Sequence, residues 1–350
     1  MVCVGYCEHV RLGISVILMG CVVSAHGSEV VSDIAYESPG SLSAWLDVHR
    51  PVGGVIPGTP TLLFVHGGGW YGGDKAADNS LPIFQPVADA GYGVVSCNYT
   101  LSEDISPSYP QAVHDVKAVV RWIRTDGVTY GLSPTIIVTG PSAGGHLSEL
   151  LGTSSGVEVL EPLSDPPGGY RVQGSIPFWG LGDFVQQVQD WGNTGPIAAF
   201  LGGPLGDETM AVYVEASPLT WVSDDDPPMH LIHGYADPIH DWNSSQSLHE
   251  ASEAVGVPSS VEFFEGGHSF GDYGGFDAAA ERLVELIPQL LLLDRGPDLD
   301  GDGTIDVVDL LAMLESWGAC AELPVDCPAD LDGNGQVGTD DLLALLGAWH

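Results

Sequence analysis

Short apolar runs alternate with longer segments of helical periodicity over most of the chain. Six runs have the length and composition of buried strands, at residues 61–65, 93–99, 135–139, 172–178, 229–233 and 261–264. Apolar residues at helical spacing predict helices at residues 112–125, 143–151, 242–254 and 276–293. This alternation predicts an α/β fold with a mostly parallel sheet and helices on both faces. Residues 183–201 lie between two strands and are expected to cap a site at one edge of the sheet.

The N-terminal segment resembles an export signal. Arg11 precedes an apolar run at residues 12–23, which is shorter than the roughly 20 residues of a bilayer span. We therefore predict a signal peptide at residues 1–25, no integral membrane span, and a secreted or cell-surface/periplasmic location. Lipoprotein anchoring through Cys21 is the alternative.

Charge divides the chain into two parts. Its 350 residues contain 47 acids against 9 Lys and Arg, a formal net charge of −38. So few basic residues exclude nucleic acid as a partner, because phosphate binding needs clustered Lys and Arg. After residue 293 there are thirteen acids and one Arg. We expect a main domain at residues 30–293 and a separate acidic module at residues 294–350.

A nucleophile motif follows the third predicted strand. Gly140, Ser142 and Gly144 fit the pattern G-x-S-x-G between a strand and a helix, where the sharp turn exposes the serine hydroxyl. A serine hydroxyl needs a base and an acid that orients the base. Asp237 and His268 each follow a later strand, in the chain order expected for this arrangement.

Residues 66–70 (HGGGW) directly follow the first predicted strand. The backbone N–H groups of Gly68, Gly69 and Ala143 are candidate donors to the oxyanion of a tetrahedral intermediate. Asp241 remains an alternative to Asp237 as the acid.

Other histidines are weaker candidates for the base, because none follows the last strand: His233, His240 and His249. His66 is expected to orient the oxyanion loop, and His146 to be structural.

These motifs together resemble the α/β-hydrolase esterases related to bifunctional feruloyl/acetyl-xylan esterases. The resemblance covers roughly residues 30 to 293, and further matching pieces are Gly73-Asp74-Lys75, Tyr109-Pro110, Arg121-Trp122, Tyr130-Gly131 and Ala216-Ser217-Pro218. It implies an α/β-hydrolase fold with Ser142 as nucleophile and with Asp237 and His268 as its partners. Pro141 departs from the family, which usually has Asp or His there.

The acidic module contains a repeated loop, at residues 298–309 and 330–341, each followed by leucines at helical spacing. Oxygen ligands at loop positions 1, 3, 5 and 12 with Gly at position 6 are typical of calcium loops. The candidate ligands for two Ca²⁺ ions are Asp298, Asp300, Asp302, Thr304, Asp309, Asp330, Asp332, Asn334, Gln336 and Asp341. The duplication resembles a type I dockerin, which implies a small all-α module with paired EF-hand-like loops and a cohesin-like partner. A disulfide between Cys320 and Cys327 suits an exported protein, but the sequence leaves it open.

We interpret the sequence as that of an exported serine esterase that removes acetyl or feruloyl groups from plant polysaccharide such as xylan, with no cofactor for catalysis. One alternative is an arylformamidase or a generalist small-ester carboxylesterase. A non-enzymatic alternative is a calcium-dependent scaffold or carbohydrate-binding protein with an inactive hydrolase core.

Overall fold

The computed structural model describes residues 28–76, 81–162, 169–192, 195–294, 296–297, 299, 305–320, 327, 329–331, 336–347 and 349. The predicted signal peptide at residues 1–25, with Cys21, lies outside these residues. Six of the predicted calcium ligands also lie outside them: Asp298, Asp300, Asp302, Thr304, Asp332 and Asn334.

An eight-stranded sheet organises the larger part of the chain. Its strands are β1 (Ser28–Ala35), β2 (Trp45–Pro51), β3 (Thr61–Val65), β4 (Gly93–Cys97), β5 (Ile136–Pro141), β6 (Gly174–Phe178), β7 (Met229–Gly234) and β8 (Ser259–Phe264). In space they follow the order β1-β2-β4-β3-β5-β6-β7-β8. The pairs β1–β2 and β2–β4 are antiparallel, and the remaining pairs are parallel. The six predicted strands therefore form the parallel part, as expected.

Helices cover both faces of this sheet. They are α1 (Leu81–Asp89), α2 (Gln111–Thr125), α3 (Ala143–Thr153), α4 (Phe184–Trp191), α5 (Gly195–Leu201), α6 (Met210–Glu215), α7 (Asn243–Val255) and α8 (Phe276–Leu293). Successive residues of a strand point to opposite faces. Accordingly, Leu63 packs in a core with α2 and α3, whereas Leu62 packs in a second core with α1 and α8. Within the described part of the chain, no helix is both long and apolar enough to cross a membrane.

The C-terminal part contains α9 (Val307–Glu315), β9 (Gly318–Ala319), β10 (Gln336–Val337) and α10 (Thr339–Gly347). The all-α expectation is wrong here, because β9 and β10 pair antiparallel. The pairing satisfies backbone groups beside Val337, which is buried in a small core with Met313, Ala329 and Leu345. Cys320 and Cys327 are joined by a disulfide.

Candidate active site

Ser142 occupies a strained turn between β5 and α3. Its φ of 58° and ψ of −121° lie in a region that residues with a side chain rarely adopt. The turn packs directly on β3, since a Cβ on Gly144 would collide with the carbonyl oxygen of Val65. A glycine at this position therefore allows the close approach that supports the turn, and Ser142 lines a cavity.

His268 connects Ser142 with Asp237. The Ser142 Oγ lies 2.8 Å from Nε2 of His268, and the Nδ1 of the same ring lies 2.6 Å from Oδ2 of Asp237. An ionised carboxylate only accepts hydrogen bonds, so Nδ1–H donates to Asp237 and Nε2 accepts the Ser142 hydroxyl. These side chains come from three separate loops at the carboxyl edge of the sheet, and the fold brings them together.

Asp237 is a buried and firmly held carboxylate. Its Oδ1 accepts hydrogen bonds from the backbone N–H groups of Ile239 and His240, at 2.7 and 3.0 Å. Burial alone would raise the pKa of Asp237. The imidazoles of His233 and His268, whose nitrogens lie 3.3 and 2.6 Å from Oδ2, outweigh that effect and hold its pKa well below the ordinary value. Asp237 is therefore ionised at neutral pH.

Asp241, the alternative acid, has its carboxylate at the start of α7 and bonded to Asn243. Its Oδ1 accepts hydrogen bonds from the backbone and side-chain nitrogens of Asn243, at 3.0 and 2.9 Å, at the start of α7. The structure thus places Asp237, and not Asp241, against His268.

Two other histidines surround the same carboxylate and imidazole. Nε2 of His233 lies 3.3 Å from Oδ2 of Asp237, while its Nδ1 lies 2.8 Å from the Ser245 hydroxyl. The buried His240 ring meets the His268 ring edge to face, with centroids 4.8 Å apart. Burial lowers the pKa of His240 to about 3, so this ring stays neutral beside His268. His249, the last of the weaker base candidates, lies on α7. The contact of His233 with Asp237 was not predicted from the sequence, although their spacing of four residues across a turn was a signal for it.

The loop after β3 carries the two candidate oxyanion glycines, and Gly68 and Gly69 line the same cavity as Ser142. Gly68 has a φ of 124°, and a Cβ there would collide with the carbonyl oxygen of Gly72, so the loop requires glycine. Ala143 begins α3 directly after Ser142. All three predicted donors therefore belong to segments that flank the serine.

His66 supports the loop after β3 through two contacts. Its ring stacks on Tyr99 with centroids 4.4 Å apart, and its Nδ1 lies 2.8 Å from the carbonyl oxygen of Gly67. Burial lowers the pKa of His66 to about 4, so the ring is neutral and Nδ1–H donates to that carbonyl. His66 thus holds the loop's backbone.

His146 joins the loop to the cap. Trp70 donates its Nε1–H to Nδ1 of His146 at 3.1 Å, and His146 Nε2 lies 2.9 Å from the carbonyl oxygen of Ala216. The Trp70 ring stacks on Phe200 of α5, with centroids 5.0 Å apart. Burial lowers the pKa of His146 to about 4, so a neutral ring makes these contacts.

A cavity of about 650 Å³ opens over Ser142 and His268. Pro196 and Ile197 of α5 form part of its wall, so the predicted cap segment does border the site. Four further apolar wall residues lie outside the motifs of the sequence: Trp179, Ile239, Phe270 and Phe276. Their spacing along the chain carries no signal, because they follow three different strands, β6, β7 and β8.

Four predicted calcium ligands lie among the described residues: Asp309, Asp330, Gln336 and Asp341. Asp309 and Asp341, at position 12 of the two loops, are each only 1% exposed. Asp309 accepts hydrogen bonds from the backbone N–H groups of Leu299 and Asp306, at 2.6 and 2.7 Å. Asp341 accepts one from Gly338 at 2.7 Å. Buried carboxylate oxygens at equivalent ends of both loops fit a hard cation such as Ca²⁺.

Comparison with known proteins adds the family. The model of the BD-FAE family matches residues 46–251. A probable carboxylic ester hydrolase of Mycobacterium tuberculosis, LipM, is 31% identical over 211 residues, which are 59% of this chain and 48% of that protein. The chain thus spans about half the length of this curated relative.

Two solved structures share the fold. A truncated form of a carbohydrate esterase from gut microbiota superposes with a TM-score of 0.65 at 24% identity, covering 77% of this chain and 98% of that one. A bifunctional GH43-CE protein of Bacteroides eggerthii superposes with a TM-score of 0.63 at 25% identity, covering 75% of this chain and 38% of that one.

Proposed function

Because this chain belongs to the BD-FAE family, we propose that it is a carboxylic ester hydrolase of the α/β-hydrolase type. The observation that carries the proposal is the continuous hydrogen-bonded path from Ser142 Oγ through His268 to Asp237, with distances of 2.8 and 2.6 Å. This arrangement suits nucleophilic catalysis by a serine hydroxyl.

In the first half-reaction, Ser142 Oγ attacks the ester carbonyl carbon while His268 Nε2 takes the hydroxyl proton. Asp237 is ionised, so it stabilises the imidazolium that forms and fixes the ring so that Nε2 faces the serine. The tetrahedral intermediate collapses as His268 returns the proton to the leaving alcohol, and the acyl group stays on Ser142.

The negative charge of each intermediate lies on the former carbonyl oxygen. We assign the backbone N–H groups of Gly68, Gly69 and Ala143 as its donors, since the glycines line the cavity and Ala143 begins α3. Removing one such donor typically costs about 10²–10³ in rate.

In the second half-reaction, water attacks the acyl-enzyme and His268 accepts its proton. The acid is released and the Ser142 hydroxyl is restored. Neutral His240 and the buried His66 take no part in these proton transfers, because their lowered pKa values of about 3 and about 4 make them poor bases at neutral pH.

For the natural substrate we propose acetyl or feruloyl esters of plant polysaccharide such as xylan. Support comes from the motif resemblance and from a fold shared with a carbohydrate esterase.

We further propose export through residues 1–25. The C-terminal part is proposed to be a dockerin-like module that binds two Ca²⁺ ions and a cohesin-like partner. Asp309 and Asp341 would each supply carboxylate oxygen to the ion of its own loop.

An ester panel tests the proposal. The wild-type chain and Ser142→Ala are assayed on p-nitrophenyl acetate, acetylated xylan, methyl ferulate and N-formylkynurenine. We expect hydrolysis of the first three by the wild type and a loss of about 10⁶ in kcat for the variant. Equal activity of the two proteins would refute the mechanism, and turnover of N-formylkynurenine alone would favour an arylformamidase.

A further inference from the structure

A second cavity lies beside the oxyanion loop. It has a volume of about 350 Å³ and is lined by Asp33, Trp45, Asp74, Lys75 and Asn98. Asp74 also lines the catalytic cavity over Ser142. The two cavities are therefore neighbours that share one wall residue.

The topology explains why these residues meet near the catalytic centre. Trp45 is the first residue of β2, Asn98 directly follows β4, and the backbone N–H of Asn98 donates to the Trp45 carbonyl at 2.9 Å. Because β2 runs antiparallel to β4, its start lies at the sheet edge where the parallel strands end. Asp74 belongs to the loop that carries Gly68 and Gly69.

Hydrogen bonds hold the polar groups of this cavity in place. The Asn98 Oδ1 accepts from the backbone N–H of Lys75 at 2.5 Å, and its Nδ2 donates to Asp74 Oδ2 at 2.9 Å. The amide of Asn98 retains a second N–H, and each carboxylate oxygen can accept more than one hydrogen bond. Fixed groups of this kind can bind hydroxyls without first being ordered.

The single cation of the cavity is already neutralised. The ammonium of Lys75 lies 2.8 Å from Asp33 Oδ1 and 2.9 Å from Asp47 Oδ1, and Lys75 is only 5% exposed. The remaining surface is rich in acceptors, so it suits a neutral ligand that donates hydrogen bonds and disfavours an anion.

Trp45 supplies an aromatic surface at this polar site. Trp45 is the first residue of β2, and 47% of its surface is exposed. A sugar ring has the matching shape, because its C–H face packs on an aromatic ring while its hydroxyls bond to carboxylates and amides at the rim. An isolated ester or a fatty acyl chain would leave those polar groups unused.

We propose that this cavity is a carbohydrate subsite, in which Trp45 stacks on a sugar ring and Asp74 and Asn98 bind its hydroxyls. The bound ring would belong to the alcohol side of the substrate, next to the sugar that carries the ester at Ser142. The inference rests on the proposed esterase function and gives its substrate class as oligomeric glycans.

Substitution of Trp45 tests the subsite. We compare wild type, Trp45→Ala, Trp45→Phe and Trp317→Ala on acetylated xylohexaose and on p-nitrophenyl acetate. Trp317 is the matched control, since it is 46% exposed and lies at the end of α9. For Trp45→Ala we expect the ratio of kcat/KM on the oligosaccharide to kcat/KM on the small ester to fall about tenfold, which is about 1.4 kcal/mol. The loss should lie in KM, the phenylalanine variant should retain most of the ratio, and Trp317→Ala should match wild type.

Binding measured without turnover separates the two proposals. Calorimetry of unesterified xylohexaose on Ser142→Ala, with and without Trp45→Ala, should show about tenfold weaker binding in the double variant. An unchanged affinity together with an unchanged activity ratio overturns the subsite. A wild-type chain that hydrolyses no ester overturns the esterase function instead, whatever the binding shows.

Discussion

The sheet edge that carries Ser142 and the C-terminal part hold their acidic side chains in different ways. At the sheet edge, Asp237 meets the imidazoles of His233 and His268. In the C-terminal part, buried Asp309 and Asp341 meet backbone N–H groups. After residue 293 there are one Arg and no Lys, against thirteen acids. The carboxylate at the sheet edge is therefore held by side chains, whereas the two C-terminal carboxylates are held by the backbone of their own loops.

The two regions also differ in their cores. The sheet buries apolar side chains on both faces, in two large clusters. The described C-terminal residues bury four hydrophobic side chains, Met313, Ala329, Val337 and Leu345. So small a core supplies little stability by itself. The C-terminal part should therefore depend on its disulfide and on cations, and the catalytic part on neither.

The largest expected effect concerns Asp237, the carboxylate that accepts a hydrogen bond from His268. Asp237→Asn keeps the size of the side chain but removes the charge and the acceptor that fix the His268 tautomer. We expect kcat/KM on p-nitrophenyl acetate to fall about 10⁴-fold, measured by steady-state kinetics. Asp241→Asn is the control, and we expect it to change kcat/KM less than threefold. Similar losses in both variants would contradict the assignment of Asp237.

Calcium should stabilise the C-terminal part and leave the stability of the sheet region unchanged. Thermal unfolding is followed by calorimetry in Ca²⁺ and in EDTA. We expect the C-terminal transition to lose about 4 kcal/mol when an ion present at roughly 1,000 times its Kd is removed, while the main transition stays in place. Asp309→Asn combined with Asp341→Asn should abolish the shift, whereas exposed Asp340→Asn should retain it. A shift of the main transition alone would contradict the comparison.

The disulfide should have a smaller effect in the same region. Cys320 and Cys327 are separated by seven positions, and opening so short a loop costs about 2–3 kcal/mol. We expect Cys320→Ser combined with Cys327→Ser to lower the free energy of unfolding of the C-terminal transition by that amount. Cys97→Ser is the control in the sheet region, because Cys97 is a buried free thiol at the end of β4. If the changes at Cys320 and Cys327 lowered the stability of the main transition as much as that of the C-terminal transition, the two regions would not unfold independently.

Sequence alone predicted the parts of the fold that are buried on both faces. Runs such as β3 are continuously apolar because helices cover both sides of the parallel sheet. Strands β1 and β2 were missed because polar residues interrupt them, as in WLDVHRP, and β1 is an edge strand with exposed positions. Helix α1 was missed as well, since Pro86 lies inside it.

The proximity of Ser142, Asp237 and His268 was predicted because short motifs follow strand ends, and strand ends meet at one edge. The choice between Asp237 and Asp241 needed the loop geometry, since both follow β7 within a few residues. The hydrophobic periodicity of the sequence also could not predict which charged residues are buried. Helix α3 is buried over its whole length, between the sheet and neighbouring helices, so its polar positions do not mark a solvent face.

Glu149 on α3 gives a test that is confined to the sheet region and that varies with pH. It is fully buried, and burial raises its pKa from 4.5 to about 8. The folded state therefore holds a proton that the unfolded state has lost between about pH 4.5 and pH 8. The stability from this proton is complete below about pH 4.5 and is lost as the pH rises towards 8, at about 1.4 kcal/mol per pH unit. Glu149→Gln should flatten that slope and gain on wild type at pH 8. Chemical denaturation of both proteins from pH 5 to pH 8 measures it, and parallel curves would mean that Glu149 is ionised in the folded protein.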